Sequence, residues 1–318
     1  MVTLRGDIPQ SFYEEETRDG FLVTKEIKEL WAVQMDLLMK LDEVCRKHKI
    51  LYMACGGTML GAIRHKGFIP WDDDIDIMMS REDYEALCAV ADKEFAAPYF
   101  FQTEYTDPGT CRGHAQLRNS ETTGLIKSEA KYHFSFNQGI FIDIFPLDSI
   151  PDNQQKKKFF VFMNRLNASL VYKAARFGAL YEDYERYHRE TGKKTGKAKA
   201  LAGKVLHWFV ETFHIERVFF KRFDRYMQSQ NGKNTKKAGL IALLKVLDRY
   251  SWNKKDLFSE LVEVPFEFTT IPVPKEYEAI LTHSYGNWHE FVVGGSVHGG
   301  LIYDTGLSYQ EYFKKRGE

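Results

Sequence analysis

The residues best suited to chemistry in this chain lie between Cys55 and Ile77. Gly56-Gly57-Thr58 opens the stretch, and Trp71-Asp72-Asp73-Asp74-Ile75-Asp76-Ile77 closes it. Acids are poor strand formers and are rarely buried unless paired or bound to a metal, yet this run leads straight into apolar sequence. On a strand, Asp74 and Asp76 point to the same face. Their carboxylates then lie roughly 7 Å apart or less, at about 3.3 Å of rise per residue. That spacing suits one divalent cation, or two cations about 3.5–4 Å apart. Hard oxygen ligands select Mg²⁺, with Mn²⁺ next. The glycine pair permits close backbone approach and positive φ. A helix beginning at Thr58 aims its free N–H groups and positive dipole end at whatever lies beside the acids, which makes an anion site, and phosphate is the commonest anion. Phosphate donors beside metal-binding carboxylates imply phosphoryl or nucleotidyl transfer. The plainer alternative is a glycine turn followed by a solvated acidic loop. The acids close behind the glycines favour the first reading.

Several elements must position these groups. Residues 22–49 carry apolar positions at helical spacing (Leu30, Val33, Leu37, Leu38, Leu41, Val44), which predicts one long amphipathic helix. Ile50 to Cys55 reads as a short strand, Thr58 to Arg64 as a helix, and Gly67 and Pro70 break the chain before the acids. Ile75–Met79 reads as a strand, and a helix follows from Arg81 to about Phe95. Tyr99–Gln102 and Ala115–Arg118 read as strands. Ile140–Phe145 is apolar on both sides of Asp143, the pattern of a buried central strand. Asp143 must therefore find a partner or a metal, a local arginine being the plain option. Asp148, after Pro146, reads as a turn or cap residue. Residues 154–230 read as helical and basic, with Trp208, Phe209 and Phe213 on an amphipathic stretch. Lysines there form a solvated face or a surface for anionic lipid headgroups or a lipid-linked glycan. The Thr191–Lys197 run lacks the spacing of a nucleotide-binding P-loop. His298, in the Gly294–Gly300 loop, is a surface histidine or one that approaches a donor phosphate.

Composition sets outer limits. The 318 residues can bury a sizeable core. A net charge of zero gives no overall field for nucleic acid, and none is expected as a partner. The four cysteines form no CxxC pair, so a disulfide framework or zinc site is not expected and a reducing compartment fits. No apolar run reaches the roughly 18 residues of a membrane span, and Met1–Gly20 lacks the apolar region of a signal peptide. A cytoplasmic protein is expected.

The segment Gly56-Gly57-Thr58-Met59-Leu60-Gly61-Ala62-Ile63-Arg64-His65-Lys66-Gly67-Phe68-Ile69-Pro70-Trp71-Asp72-Asp73-Asp74-Ile75-Asp76 resembles the signature of the LicD family, phosphocholine transferases related to fukutin within the polymerase-β-like nucleotidyltransferase superfamily. Gly139 to Asp148 is similar to the family's second acidic strand. Ile271–Tyr277 and Tyr285–Trp288 resemble its C-terminal block. The resemblance covers residues 50–150 well and 263–300 loosely.

It implies an α+β fold, a nucleotidyltransferase-like mixed sheet flanked by helices. Residues 1–150 would form the catalytic core, 151–262 a helical insert, and 263–318 a segment completing the core. It implies that Asp143 joins Asp74 and Asp76 around Mg²⁺ or Mn²⁺, lies near the acceptor hydroxyl and helps as general base. Gly56, Gly57 and Thr58 would cradle donor phosphate, with Arg64, Lys66 and Arg118 as supporting cations. It implies a CDP-alcohol donor, typically CDP-choline, from which phospho-alcohol passes to a glycan, teichoic acid or glycolipid hydroxyl as CMP leaves. Trp71, Tyr132, Phe134 and Phe136 are available to face a choline headgroup. A nucleotidyltransferase moving the NMP half, or a non-catalytic glycan-binding member, are the alternatives. Peripheral membrane contact is expected, if anywhere, through the basic insert.

Overall fold

A computed structural model describes residues 1–130, 134–177, 196–293 and 300–316, with Tyr181, Tyr184, His188 and Thr191. A hairpin of β1 (Glu16–Arg18) and β2 (Phe21–Val23) precedes α1 (Lys25–His48). Then come β3 (Met53–Ala54), α2 (Gly56–His65), β4 (Asp76–Ser80), α3 (Arg81–Glu94), β5 (Tyr99–Gln102), β6 (Ala115–Asn119), β7 (Thr123–Ile126) and β8 (Ile140–Ile150). Helices α4 (Gln154–Ala175), α5 (Lys197–Phe213) and α6 (Ile215–Met227) follow. The chain continues through β9 (Lys237–Gly239), β10 (Ser251–Asn253), α7 (Lys254–Leu257), β11 (Leu261–Phe266), β12 (Thr269–Pro274), α8 (Tyr277–Tyr285), β13 (Leu301–Asp304) and α9 (Tyr309–Arg316). The fold is α+β: a mixed seven-stranded sheet flanked by helices.

The long helix α1 forms where its apolar spacing predicts. Thr24 caps it by accepting from the Ile27 N–H, and Lys49, in the left-handed region, ends it. Its predicted apolar positions are all buried, each worth about 1.5–3 kcal/mol when fully covered. Trp31, Gln34 and Asp36 are buried with them.

Strand β8 is the spine, and every residue in it is buried. It runs parallel to β4, with Asp76 opposite Asp143 and Ser80 opposite Leu147. On its other edge β6 pairs antiparallel with Ile140–Ile144 and β9 with Asp148–Ile150. The sequence reading has the strand over Ile140–Phe145, and the proline that follows removes a ladder donor. It continues because Pro146 falls in the gap between β6 and β9. The Asp143 N–H bonds Ile75 O on the β4 edge, so by alternation Pro146 faces that gap and no ladder bond is lost.

The reading of Asp148 as a turn residue is therefore corrected. Asp148 lies inside β8, is fully buried, and accepts from Arg81 Nε at 2.9 Å and from Asn231 Nδ2 at 2.7 Å. It ties β8 to the start of α3 and to the turn beyond α6. Helices α4 and α6 pack on each other over a second small core containing Ile150, Phe160, Phe220, Phe223 and Met227. Beyond these helices, β9 and β10 join the main sheet through β8. Lys193 and Lys194 lie outside the described residues.

Candidate active site

Helix α2 begins at Gly56, two residues before the expected start, so the glycines form its first turn. Cys55 is the N-cap and supplies no side-chain bond to the first N–H groups, which leaves them for a ligand. Gly56 has φ +52°, which a side chain would strain. A Cβ on Gly56 would lie 3.2 Å from Asp76 Oδ2, and one on Gly57 only 2.5 Å from Asp72 Oδ2. The helix N-terminus and the acids are thus packed together, and glycine is what permits the approach.

The acidic segment is fixed by elements distant in sequence. Trp31 Nε1 donates to Asp72 O at 3.0 Å, and Gln34 Nε2 donates to Asp73 O at 2.7 Å. The Leu301 N–H donates to Asp73 Oδ2 at 2.9 Å. Thr58 Oγ1 accepts from the Asp76 N–H at 2.8 Å, and Asp76 O accepts from the Cys55 N–H at 2.9 Å. Thr58 is buried, so its hydroxyl holds the start of β4 while its backbone belongs to the helix N-terminus.

These parts open onto a cavity of about 700 Å³ lined by Gly57, Arg64, Trp71, Asp72, Asp74, Asp76, Arg112, His114, Gln116 and Asp143, and by Arg249, Tyr250, Tyr285 and Trp288 from the C-terminal third. Asp74 precedes β4 rather than lying in it, yet shares the cavity with Asp76. Burial, then Asp74, Asp143, Asp72 and Asp73, push the Asp76 carboxyl well above its usual range. Burial also raises Asp143, but His114 and Gln116, with Arg112 beyond, outweigh it and hold that carboxyl below its usual range. His114 Nε2 and Gln116 Nε2 lie 3.1 and 2.7 Å from Asp143 Oδ1. The direct partners of Asp143 are thus a histidine and an amide, and not the local arginine that was the plain alternative to a metal.

Crowded carboxylates that cannot all ionise cheaply are the donor set a divalent cation relieves, so the residues fit such an ion. The tightest carboxylate triplet among the described residues is Asp72, Asp73 and Asp74, whose oxygens lie within 4.8 Å of one another. It differs from the expected set of Asp74, Asp76 and Asp143. Asp73 is not among the cavity-lining residues and its Oδ2 serves Leu301, so Asp72 is the acid the sequence reading lacked.

The same cavity also carries donors. Arg64 Nη1 bonds Trp288 O at 2.9 Å and its guanidinium lies 4.7 Å from the Phe291 ring centre. Arg249 stacks 4.2 Å from the ring centre of Tyr285. Arg112 Nη2 holds Glu129 at 2.7 Å, while Arg112 Nη1 and the Trp288 indole N–H are buried with no hydrogen-bond partner among the described residues.

Other expected residues lie elsewhere. Arg118 does not line the cavity: it is 1% exposed, and its guanidinium bonds Gln102 Oε1 at 2.6 Å, Gly139 O at 2.6 Å and Gln116 Oε1. Its expected place beside a donor phosphate is corrected, because burial on β6 spends its donors internally. It orients the amide that contacts Asp143. Lys66 is exposed at the end of α2 and likewise off the cavity wall. Phe134 and Phe136 stack on each other 4.7 Å apart and are not among the lining residues, though Phe136 lies 5.5 Å from the guanidinium of Arg112, while Trp71 lines the cavity. His298 and Tyr132 lie outside the described residues.

Residues 49–173 match the LicD/FKTN/FKRP nucleotidyltransferase domain family. The chain is similar to the lipopolysaccharide cholinephosphotransferase LicD of Haemophilus influenzae, at 27% identity over 266 residues, covering 82% of this chain and 91% of that protein. Uncharacterized proteins of Rickettsia typhi and Rickettsia prowazekii match shorter segments. The first is 47% identical over 58 residues, 18% of this chain and 19% of its own. The second is 41% identical over 76 residues, 24% of this chain and 26% of its own.

Proposed function

We propose, from the match of residues 49–173 to the LicD family's nucleotidyltransferase domain and the likeness to LicD of Haemophilus influenzae, that the chain transfers a phospho-alcohol, phosphocholine first among candidates, from a CDP-alcohol to a glycan or glycolipid hydroxyl. The observation that carries the reading is the register of Asp76 against Asp143, in one cavity with Asp74 and the glycine-opened N-terminus of α2. The Haemophilus relative is named for moving cholinephosphate onto lipopolysaccharide.

In this reading Asp74, Asp76 and Asp143, with Asp72 beside them, hold a Mg²⁺ or Mn²⁺ ion, which would neutralise phosphate charge and polarise the reacting phosphorus. The first-turn N–H groups of Gly56, Gly57 and Thr58 receive phosphate oxygens. Arg64, Arg249 and Trp288 contact the departing nucleotide's phosphate, whose charge grows as the bond to phosphorus breaks. Asp143 is oriented by His114 and Gln116 through Oδ1 and would serve as a ligand of the cation or as a base toward the acceptor hydroxyl. Tyr285, Tyr250 and Trp71 give the cavity apolar faces suited to an alcohol headgroup.

The test is turnover of CDP-choline, CDP-ethanolamine, CDP-ribitol and a CMP-phosphonate with Mg²⁺ and a glycan acceptor. CMP release, with phospho-alcohol on the acceptor, is expected. Release of the phospho-alcohol with CMP on the acceptor would instead mark nucleotidyl transfer. No turnover and no donor binding would mark a non-catalytic protein.

A further inference from the structure

Helix α5 presents a broad apolar face to solvent. Leu201, Val205, Leu206, Trp208, Phe209 and Phe213 are between 44% and 64% exposed, and Val210 is the one buried side chain described in the helix. At about 100° per residue, the six exposed apolar residues span an arc of roughly 160°. The opposite side is covered: His207 meets the Tyr181 ring at 4.9 Å, and Gly203 lies against the same ring. The face is therefore the outer surface of a packed helix. Exposed apolar patches of this kind mark interaction sites.

Charge selects the occupant. Residues 197–213 carry Lys197, Lys199 and Lys204 against Glu211, a net charge of +2 with His207 neutral. Lys204 is exposed at the edge of the apolar arc. A second copy docking face to face would bring like charges together at a self-complementary interface. An anionic bilayer instead accepts the aromatic and aliphatic side chains among its headgroups, while lysine stems lie along the apolar surface and their ammonium groups reach lipid phosphates. No described helix is long and apolar enough to cross a membrane, so contact would lie in the interface plane.

The geometry points to α5 as a membrane-surface anchor that seats the protein on anionic lipid. It does not depend on the chemistry of the cavity. The experiment uses the whole chain, vesicles of phosphatidylglycerol mixed with phosphatidylcholine, and vesicles of phosphatidylcholine alone. Co-sedimentation is expected with the mixed vesicles, at least about tenfold weaker with the neutral ones, and reduced by salt. The variant Trp208→Ser/Phe209→Ser/Phe213→Ser should lose at least about tenfold in partition with its circular dichroism unchanged, since these side chains are already in water. In the parent, brominated lipid should quench indole emission that Trp208→Phe removes. Equal binding by the triple variant, no binding by the parent, or a dimer in ultracentrifugation that the triple variant abolishes would overturn the assignment.

Discussion

Placing one methyl group at Gly57 tests whether helix α2 and the acids form a single working unit. The added Cβ would sit 2.5 Å from Asp72 Oδ2, where real Cβ contacts essentially never fall below 3.0 Å. Asp72 must retreat by about 0.5–1 Å, which its side chain can do because only the carboxylate end is in the way. Stability should hardly change: alanine gains about 0.5–1 kcal/mol over glycine inside a helix, offsetting the displacement. Turnover should fall about 10–100-fold, the order expected when a reacting constellation is misplaced by about 1 Å. Gly61→Ala is the contrast. Its Cβ would lie 2.4 Å from the backbone oxygen of Gly67, and that loop is held by Glu267, which accepts from the Phe68 N–H at 2.8 Å. Backbone cannot yield cheaply, so about 1–3 kcal/mol of stability should be lost. Thermal melts and CMP release on both variants decide. Full activity in Gly57→Ala, with Asp72 shifted, would refute the idea that the acids must be held against the helix N-terminus.

Asp76→Asn should cut turnover at least about 10²-fold yet raise the melting temperature in EDTA. The folded-state pKa of Asp76 lies above its unfolded value of about 4. Metal-free stability should therefore fall as pH rises from about 4 through that raised value, and Asn should flatten the slope in pH-dependent melts. Asp148→Asn removes the most buried partner of Arg81, leaving Asp224 at 3.5 Å and the exposed Glu85 at 3.4 Å, and should cost about 1.5–3 kcal/mol in urea denaturation. Trp288→Phe keeps an aromatic ring but removes part of the buried indole together with an N–H that bonds nothing among the described residues. Stability should fall by about 1–3 kcal/mol from the void, while KM for the donor rises about tenfold, the worth of one hydrogen bond to a charged oxygen.

What the sequence disclosed follows from how local each signal is. The α1 stripe, the Ser80-capped helix α3 and the acid run before β4 are written in short-range periodicity and are found where expected. The placing of Asp143 on a strand beside Asp76 came from the family resemblance, while the residues alone said only that an acid inside an apolar strand must find a partner or a metal. Strand β8 looked shorter than it is because Pro146 is a breaker everywhere except in a gap between partner strands, and only tertiary pairing creates that gap. Arg118 looked like a phosphate ligand because a strand arginine is costly without an anion, yet two side-chain amide oxygens and a backbone carbonyl occupy it. Arg112, His114 and Arg249 gave no signal of their own, and Trp288 gave one only as the end of the loosely matched C-terminal block. They reach the cavity from segments with no shared motif, and Trp31 and Gln34 work from inside a helix that reads as plain core.

The most direct test of the central claim is donor turnover after exhaustive chelation, followed by Mg²⁺ titration, with the parent chain beside Asp76→Asn and Asp143→Asn. The account predicts no CMP release in EDTA, saturable recovery with Mg²⁺ or Mn²⁺ in the parent, and at least about 10²-fold less in both variants at any metal concentration. CMP release that persists in EDTA, or variants that recover fully, would contradict a divalent-cation site built on these carboxylates.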